Sequence, residues 1–321
     1  MNRNIKTSSM TEAAMISGIL VIFAYISTFL ISLLMFFYPV PAIILAKRRG
    51  IKYAILSLVA ADLIITMLLG VQIGVSFIVL FSPLAIALSY GICKDVEPNK
   101  TILYGSAAFM ISFVIMILLM QFLMGINFIQ QMVQMTNESF NMYRDILTKT
   151  ADNMDADKFK DTLKYIEDTS IAMTTFISQQ FPSMLISSSV LMSAINYFAV
   201  SKFAKRFKIE IRKHEGLSYF SFPNTFILAM AGLLLLSFLL SVFKINVLVI
   251  QMNLFMICYM AMFVQGFAVV KFFLTKLNIN KLGRTVILIS IILIAGFAQA
   301  LALVGIVDLV FDLRKIRHKI I

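Results

Sequence analysis

Tryptophan is absent from this sequence of 321 residues, and cysteine and histidine occur only twice each. Cys93 and Cys258 are far apart and form no C-x-x-C pair, so neither a disulfide framework nor a zinc site is expected. No metalloprotease, nucleophile-elbow, Walker A or dinucleotide-binding motif occurs. We therefore predict no catalytic residue, no metal site, no cofactor and no enzymatic activity. Active transport would have to draw its energy from a partner or from an ion gradient.

Acidic residues are also scarce: 16 Asp and Glu stand against 28 Lys and Arg, which gives a net charge of +12. Such a charge can indicate nucleic-acid binding, but here the cations cluster between apolar runs, which is the positive-inside pattern of membrane proteins. Hydrophobic residues make up 60% of the chain and the mean hydropathy is +0.92. We therefore predict an all-α polytopic transmembrane helix bundle whose partner is the lipid bilayer, with no nucleic acid as partner.

About eight apolar segments approach the roughly 20 residues that a helix needs to cross the hydrocarbon core. Four basic segments, 47–52, 94–100, 202–213 and 271–284, are each separated from the next by two spans, so all four can face the cytoplasm. A single span at 285–311 would export the basic C-terminal tail, and a break within it is the alternative. The clear spans are roughly 51–69, 72–92, 101–125, 171–199, 223–243, 246–270 and 285–311.

The hydrophilic segment 126–170 then falls on the outer side of the membrane, and it has eight carboxylates against five cations. Within it, Phe159, Leu163 and Ile166 share one helical face. This pattern predicts an amphipathic helix that lies on the outer surface or caps the bundle. We therefore predict a single integral membrane domain over residues 1–321, with 126–170 as an extracytoplasmic helical insertion.

The stretch FFYPVPAIILAKRRG, residues 36–50, ends a long apolar run with two prolines and three consecutive cations. Proline has no amide donor and disfavours helix in the residue before it, so we expect a break with Tyr38 and Val40 extended. Tyr38 is well placed as an interfacial aromatic. Residues 12–46 then cross the membrane either once or twice. We favour two crossings, because the cations before the first span then lie on the same side as the basic loops.

Several amide and carboxyl side chains fall at membrane depth. Asp62 is the one carboxylate well inside a predicted span, where a charge costs about 2.5–3.5 kcal/mol, so it should pair, be protonated or face a polar interior. Pro182 can free backbone carbonyls in its helix. The alternative for each polar side chain is an interhelical hydrogen bond, worth about 0.6 kcal/mol on average. The residues predicted to line a substrate-binding pocket are Asp62, Gln179, Gln180, Asn196, Gln251 and Asn253.

The first predicted span contains two small residues four positions apart, Ala14 and Gly18. Such a small-xxx-small stripe lets a second helix approach closely. It predicts either packing within the chain or a docking site for a partner membrane protein.

Four motifs, taken in their order along the chain, resemble the YybS-like family of bacterial polytopic membrane proteins. They are YPVPAIILAKRRG, FSPLAIALSYG, YFSFPNTFILAM and GIVDLVFDLRK. The last contains the family-like D-x3-D-x-R pattern formed by Asp308, Asp312 and Arg314. That family is in turn distantly similar to the substrate-capturing S components of energy-coupling factor transporters.

The resemblance implies a multi-pass protein of the bacterial cytoplasmic (inner) membrane. It implies a small-solute-binding or transport component that depends on a partner for energy, with Ala14 and Gly18 docking on a transmembrane coupling subunit that works with ATPases. The alternative function is a non-transport membrane scaffold or assembly partner in the cell envelope or in sporulation, with segment 126–170 as its contact surface.

Overall fold

A computed structural model of the chain describes residues 3–150, 155–212, 216–243, 247–277 and 279–316. Throughout these ranges the chain forms helices and connecting turns and no β-strand, which confirms the all-α prediction. The α-helices are α1 (Arg3–Phe29), α2 (Pro39–Arg49), α3 (Ile51–Leu69), α4 (Val71–Ser76), α5 (Ser82–Cys93), α6 (Pro98–Met124), α7 (Phe128–Lys149), α8 (Ala156–Arg206), α9 (Asn224–Val242), α10 (Leu248–Lys276), α11 (Lys281–Leu293) and α12 (Ala295–Phe311).

Six of these helical stretches are long and apolar enough to cross a membrane, which confirms the polytopic bundle. The pair Leu282–Ile291 and Gly296–Phe311 is bent by 103° and makes a seventh span if it crosses as one. Leu228–Val242 is a shorter apolar helix. The six are Thr7–Phe29, Ile51–Leu69, Val71–Cys93, Pro98–Leu123, Asp157–Arg206 and Leu248–Lys276.

The helices form two compact units. Unit 1 comprises Met1–Phe128 and Leu185–Lys213, and unit 2 comprises Ile129–Met184 and His214–Ile321. Helix α8 therefore contributes its second half to unit 1 and its first half to unit 2. The single domain over residues 1–321 stays a prediction.

In unit 1, α1 is followed by an antiparallel return segment that consists of two short helical pieces. A 3-10 turn, Ser32–Phe37, precedes α2, and together they span about 12 Å plus about 17 Å, close to the thickness of the hydrocarbon core. Glu12 near the start of α1 forms ion pairs with Arg48 at 2.9 Å and Arg49 at 2.6 Å at the end of α2. Residues 12–46 thus form two antiparallel segments, the second of them broken. That both segments cross the membrane stays a prediction.

The prolines start a helix instead of forcing extended backbone, so the expected conformations of Tyr38 and Val40 were wrong. Tyr38 has φ −51° and ψ −41°, and Val40 lies within α2. Pro39 occupies the first position of α2, where the missing N–H would have no intrahelical partner and the fixed φ already suits the helix. Tyr38 is also fully buried, so it is a core residue of unit 1 and not an interfacial aromatic.

The amphipathic helix predicted near residue 160 is present, but it is not a separate helix. The face of Phe159, Leu163 and Ile166 is half-buried to buried, while the charged side chains between them are exposed. This segment is the start of α8, which continues without interruption for 51 residues, or about 75 Å. A helix of that length exceeds twice the roughly 30 Å hydrocarbon core, so a long part of it must lie outside.

Candidate functional site

The buried carboxylate of Asp62 is the centre of the strongest candidate site in unit 1. The Tyr38 hydroxyl donates to its Oδ1 at 2.7 Å, and the Ser82 hydroxyl donates to its Oδ2 at 2.6 Å. Asp62 itself is 4% exposed. The carboxylate thus satisfies both of its oxygens with hydroxyl groups, and none of the ion pairs found among the described residues includes it.

Both hydroxyl partners are positioned by irregular helix geometry. Tyr38 stands at the junction between the 3-10 turn and α2, and its ring packs edge-on against Phe77 at 4.7 Å. Ser82 begins α5 directly after a π-turn, Phe77–Phe81, because its N–H donates to Phe77 O and the following Pro83 has no N–H to give. Asp62 therefore connects two points at which regular helix is interrupted.

The same 3-10 turn is also held by α8. The Asn196 amide donates to Phe36 O at 2.9 Å and to Met192 O at 2.9 Å, and Asn196 is fully buried. Its Oδ1 has no hydrogen-bond partner in the described part of the chain. Asp62 and Asn196 thus both fix the break between the 3-10 turn and α2, one through Tyr38 and the other through Phe36.

In unit 2, the Asn253 side chain bridges two backbone groups of α8 beside Pro182. Its Oδ1 accepts from Ser183 N at 2.8 Å, and its amide donates to Gln179 O at 2.7 Å. Those two groups would bond to each other in a regular α-helix, since they belong to residues four apart. Asn253, from α10, therefore holds both groups of this position in α8.

The remaining predicted pocket residues have no ligand-like arrangement. Gln180 accepts from the Ser183 hydroxyl through its backbone carbonyl at 2.8 Å. Gln251 has a buried Nε2 with no partner among the described residues. The six predicted residues divide between the units: Asp62 and Asn196 in unit 1, and Gln179, Gln180, Gln251 and Asn253 in unit 2. Their binding of a substrate stays a prediction.

Unit 2 contains a buried polar cluster around Arg314 and Asp308. Arg314 Nη2 and Asp308 Oδ2 are 2.8 Å apart, and the two side chains are 0% and 2% exposed. Arg314 also donates to Ser218 O at 2.7 Å and Phe220 O at 2.9 Å. Gln265 completes the cluster by donating to Asp308 Oδ2 at 2.7 Å. The ion pair therefore ties the turn before α9 to the end of α12.

The D-x3-D-x-R pattern thus has two separate roles. Asp308 and Arg314 form the buried pair, whereas Asp312 ends α12 with φ 45° and accepts from Ile316 N at 3.1 Å. The left-handed turn at Asp312 brings Arg314 back to Asp308. The contact between Gln265 and Asp308 was not predicted, because the two residues are 43 positions apart and no local pattern shows such a contact.

The outward face of α1 contains the small-residue stripe. Ala14 and Gly18 are exposed, and a Cβ built on Gly18 would meet no atom within 4 Å. The neighbouring residues Ala13, Ser17 and Leu20 are buried, and α1 packs against α3. The packing face and the small-residue stripe are therefore different faces of the helix.

Three of the four basic segments meet at one end of unit 1. Lys47 Nζ lies 2.7 Å from Asp95 Oδ1, and Arg212 donates to Asp95 O at 3.3 Å. This arrangement agrees with the predicted placement of those segments on one side of the membrane. A groove of about 610 Å³ at this end is lined by Lys47, Arg48, Asp95, Ile209, Glu210, Ile211 and Arg212.

Comparison with known proteins assigns the chain to a family. A family model described as a predicted membrane protein, DUF2232, matches residues 14–309. The chain belongs to the DUF2232 family. It is 23% identical over 311 residues to a Bacillus subtilis (strain 168) protein, "Uncharacterized protein YybS", covering 95% of this chain and 98% of the relative. No solved structure matches.

Membership of the DUF2232 family confirms the resemblance that the four sequence motifs suggested. The matched region begins at Ala14 of the small-residue stripe and ends one residue beyond Asp308, so it contains Asp62 and the Arg314 cluster except Arg314 itself. Neither matched description names a solute or a partner protein. The comparisons therefore identify a membrane protein, and the six candidate spans of the structure make it a multi-pass one.

Proposed function

We propose that this DUF2232 protein is a partner-dependent component of the bacterial cytoplasmic membrane that takes part in small-solute binding or transport. It docks on a second, polytopic membrane protein through the outward face of α1, and that partner couples it to ATP hydrolysis. The observation that carries the proposal is the exposed stripe of Ala14 and Gly18, which the chain's own packing leaves unused.

The physical basis is the absence of a hydrophobic driving force between helices in lipid. Lipid tails are as apolar as leucine, so helices associate where small residues let their backbones approach closely. On α1 the large exposed side chains Met15 and Ile19 border the stripe on one side and are 66% and 40% exposed. A partner helix that packs on the stripe against this ridge gains contacts that lipid tails cannot make equally well.

The test is co-purification from native membranes with two matched double variants. Ala14→Leu with Gly18→Leu fills the stripe, and we expect at least a tenfold loss of the associated polytopic protein and of its ATPases. Met15→Leu with Ile19→Leu changes the same exposed face without filling the stripe, and association should be retained. Unchanged association of the filled variant, or a purified complex without ATPases, would refute the proposal.

A second function, a non-transport scaffold in the cell envelope, is favoured by a different observation. Helix α8 begins far outside any 30 Å core, and its first part is joined to α7 by a hydrogen bond from Ser170 to Asn137 at 3.3 Å. If this helical hairpin is the contact surface, replacing 130–169 by a short linker abolishes association while the filled stripe has no effect. The opposite pattern supports docking through α1.

A further inference from the structure

We propose that Asp62 is a proton-binding site within the membrane, whose carboxyl group takes up and releases one proton. Tyr38 and Ser82 form hydrogen bonds with both the ionised and the protonated carboxyl group, because their hydroxyl hydrogens can reorient. The proposal concerns unit 1 alone and does not depend on docking through α1, so either can fail without the other.

The first argument is the charge balance around Asp62. The elements packed on α3 are α1, α2, α4, α5 and the π-turn, and the hydrogen bonds to the carboxylate come from Tyr38 and Ser82. Helices α4 and α5 and the π-turn contain no Lys, Arg, His, Asp or Glu; their titratable groups are Tyr90 and Cys93. None of these three elements therefore supplies a cation to balance an ionised carboxylate at this site.

The other two packed helices, α1 and α2, contain charged side chains that form ion pairs with one another or with Asp95. Glu12 of α1 pairs with Arg48 and Arg49 of α2, and Lys47 pairs with Asp95. Lys52, the second residue of α3, also lies at the basic end of unit 1. A proton is the cation that neutralises Asp62 with the fewest ligands, because it needs a single oxygen.

The second argument is that the hydroxyl partners suit both protonation states. When the carboxylate is ionised, both hydroxyls donate to it, at 2.7 Å and 2.6 Å, which are the short distances of charge-assisted bonds. When Oδ2 takes up a proton from water, it donates to Ser82 Oγ, which then accepts. One O–H bond forms on the carboxyl group while one O–H bond of the hydronium ion that delivers the proton breaks. The negative charge of the carboxylate is neutralised, and no covalent bond of Tyr38 or Ser82 changes.

The displaced hydrogen of Ser82 also has an acceptor. Ser82 N–H is engaged with Phe77 O, and Pro83 has no N–H, so neither amide serves the carbonyl of Ile78, four residues before Ser82. A serine hydroxyl in a helix can donate to the carbonyl four residues earlier. The π-turn therefore provides the alternative bond that the protonated state requires.

The third argument is the position of the site. Proton uptake at Asp62 changes the bonds at the 3-10 junction through Tyr38 and at the π-turn through Ser82. Irregular backbone within a membrane protein is tolerated where neighbouring groups satisfy it, and such breaks are where transport proteins place their ion sites. Asp62 joins the two breaks through the hydrogen bonds of its side chain to Tyr38 and Ser82.

The test is infrared difference spectroscopy of the purified full chain in lipid bilayers, titrated from about pH 4 to about pH 10. We expect a carboxylic-acid C=O absorption that is lost as the pH rises and that is absent from Asp62→Asn at every pH. The matched control is Asp95→Asn, which removes an exposed carboxylate and should leave the absorption in place.

Two conservative variants keep the proposal testable if Asp62→Asn does not fold. Ser82→Ala and Tyr38→Phe each remove one donor to the ionised carboxylate, so the loss of the absorption should move by about one pH unit to higher pH. Ser89→Ala, on the same helix, should leave it unchanged. A titration that is identical in the wild type, both donor variants and Asp62→Asn would show that Asp62 keeps one protonation state, and the proposal would be wrong.

Discussion

At the scale of single residues, the buried polar side chains of this protein mostly serve the backbone. Asn253 bridges two backbone groups of α8, Asn196 donates to the carbonyl of Phe36, and Gln265 accepts from Phe222 N at 3.2 Å. Each of these amides lies beside a proline, a 3-10 turn or a connecting turn. A membrane interior offers no water to satisfy such groups, so side chains must do so.

Substitutions of Asn253 and Gln251 test whether buried amides stabilise the fold by binding backbone groups, with Gln251 as the control. Asn253→Leu leaves Ser183 N–H and Gln179 O without their partner, and we expect a loss of about 1–3 kcal/mol in the free energy of unfolding. Gln251→Met replaces a side chain whose buried Nε2 is unpaired, so stability should change by less than about 0.5 kcal/mol or increase. Thermal unfolding of both variants in detergent measures the difference. Equal losses would contradict the bridging role of Asn253.

The sequence predicted which polar residues lie at membrane depth, but it could not predict their partners. Asp62 stood out because a carboxylate inside an apolar run is costly. Its partner Tyr38 is 24 positions earlier and Ser82 is 20 positions later, and no local pattern encodes such contacts. For the same reason Arg314 was noticed as part of a motif, while the carbonyls of Ser218 and Phe220 that it binds were not.

At the scale of helices, glycine and proline decide where helices break and where they touch. The break at Pro39 was predicted from the sequence, because two prolines two residues apart are unusual in an apolar run. The π-turn before Ser82 was not, since a single proline at the start of a helix is compatible with regular geometry. The continuous α8 was also missed, because its polar first part and apolar second part suggested separate elements.

Helices α10 and α12 cross through two glycines. A Cβ built on Gly266 would overlap Leu301 O, and one built on Gly305 would overlap Met262 O. Backbone atoms cannot move aside as a flexible side chain can, so Gly266→Ala must push the helices apart. We expect a loss of about 1–3 kcal/mol in the free energy of unfolding, measured by thermal denaturation of the purified protein.

Gly232 in α9 provides the control for that substitution. A Cβ at this position would meet no atom within 4 Å, so Gly232→Ala should leave stability unchanged or raise it by up to about 1 kcal/mol. If Gly266→Ala is tolerated as well as Gly232→Ala, the close crossing of α10 and α12 is wrong.

At the scale of the whole molecule, the account depends on how many times the first 49 residues cross the membrane. Two crossings place the start of α1, the ends of α2 and α5, and the groove at one end of unit 1. The positive-inside pattern assigns that end to the cytoplasm. The docking stripe then lies in the cytoplasmic half of α1, and Asp62, twelfth of the 19 residues of α3, lies near the middle of its span.

The all-α, multi-span character of the chain followed from composition alone, because hydropathy is a local property. The sequence indicated about eight spans, whereas the described residues contain six candidate spans, or up to seven if the bent pair crosses as one. The division into two units did not follow, since it depends on packing between residues far apart in sequence. Segment 126–170 illustrates the difference: its hydrophilic character was visible in the sequence, but its continuity with a membrane-length helix was not.

Cysteine labelling in intact cells tests the two crossings most directly. In a Cys93→Ser, Cys258→Ser background, Ser8→Cys and Thr148→Cys place single thiols near the start of α1 and the end of α7, both at exposed positions. A membrane-impermeant maleimide should label position 148 in intact cells and position 8 only after the membrane is opened. Arg48→Cys, beside Glu12, is the internal control and should behave as position 8 does. Labelling of position 8 from outside, with position 48 protected, would mean that residues 7–49 cross once, and it would contradict the account.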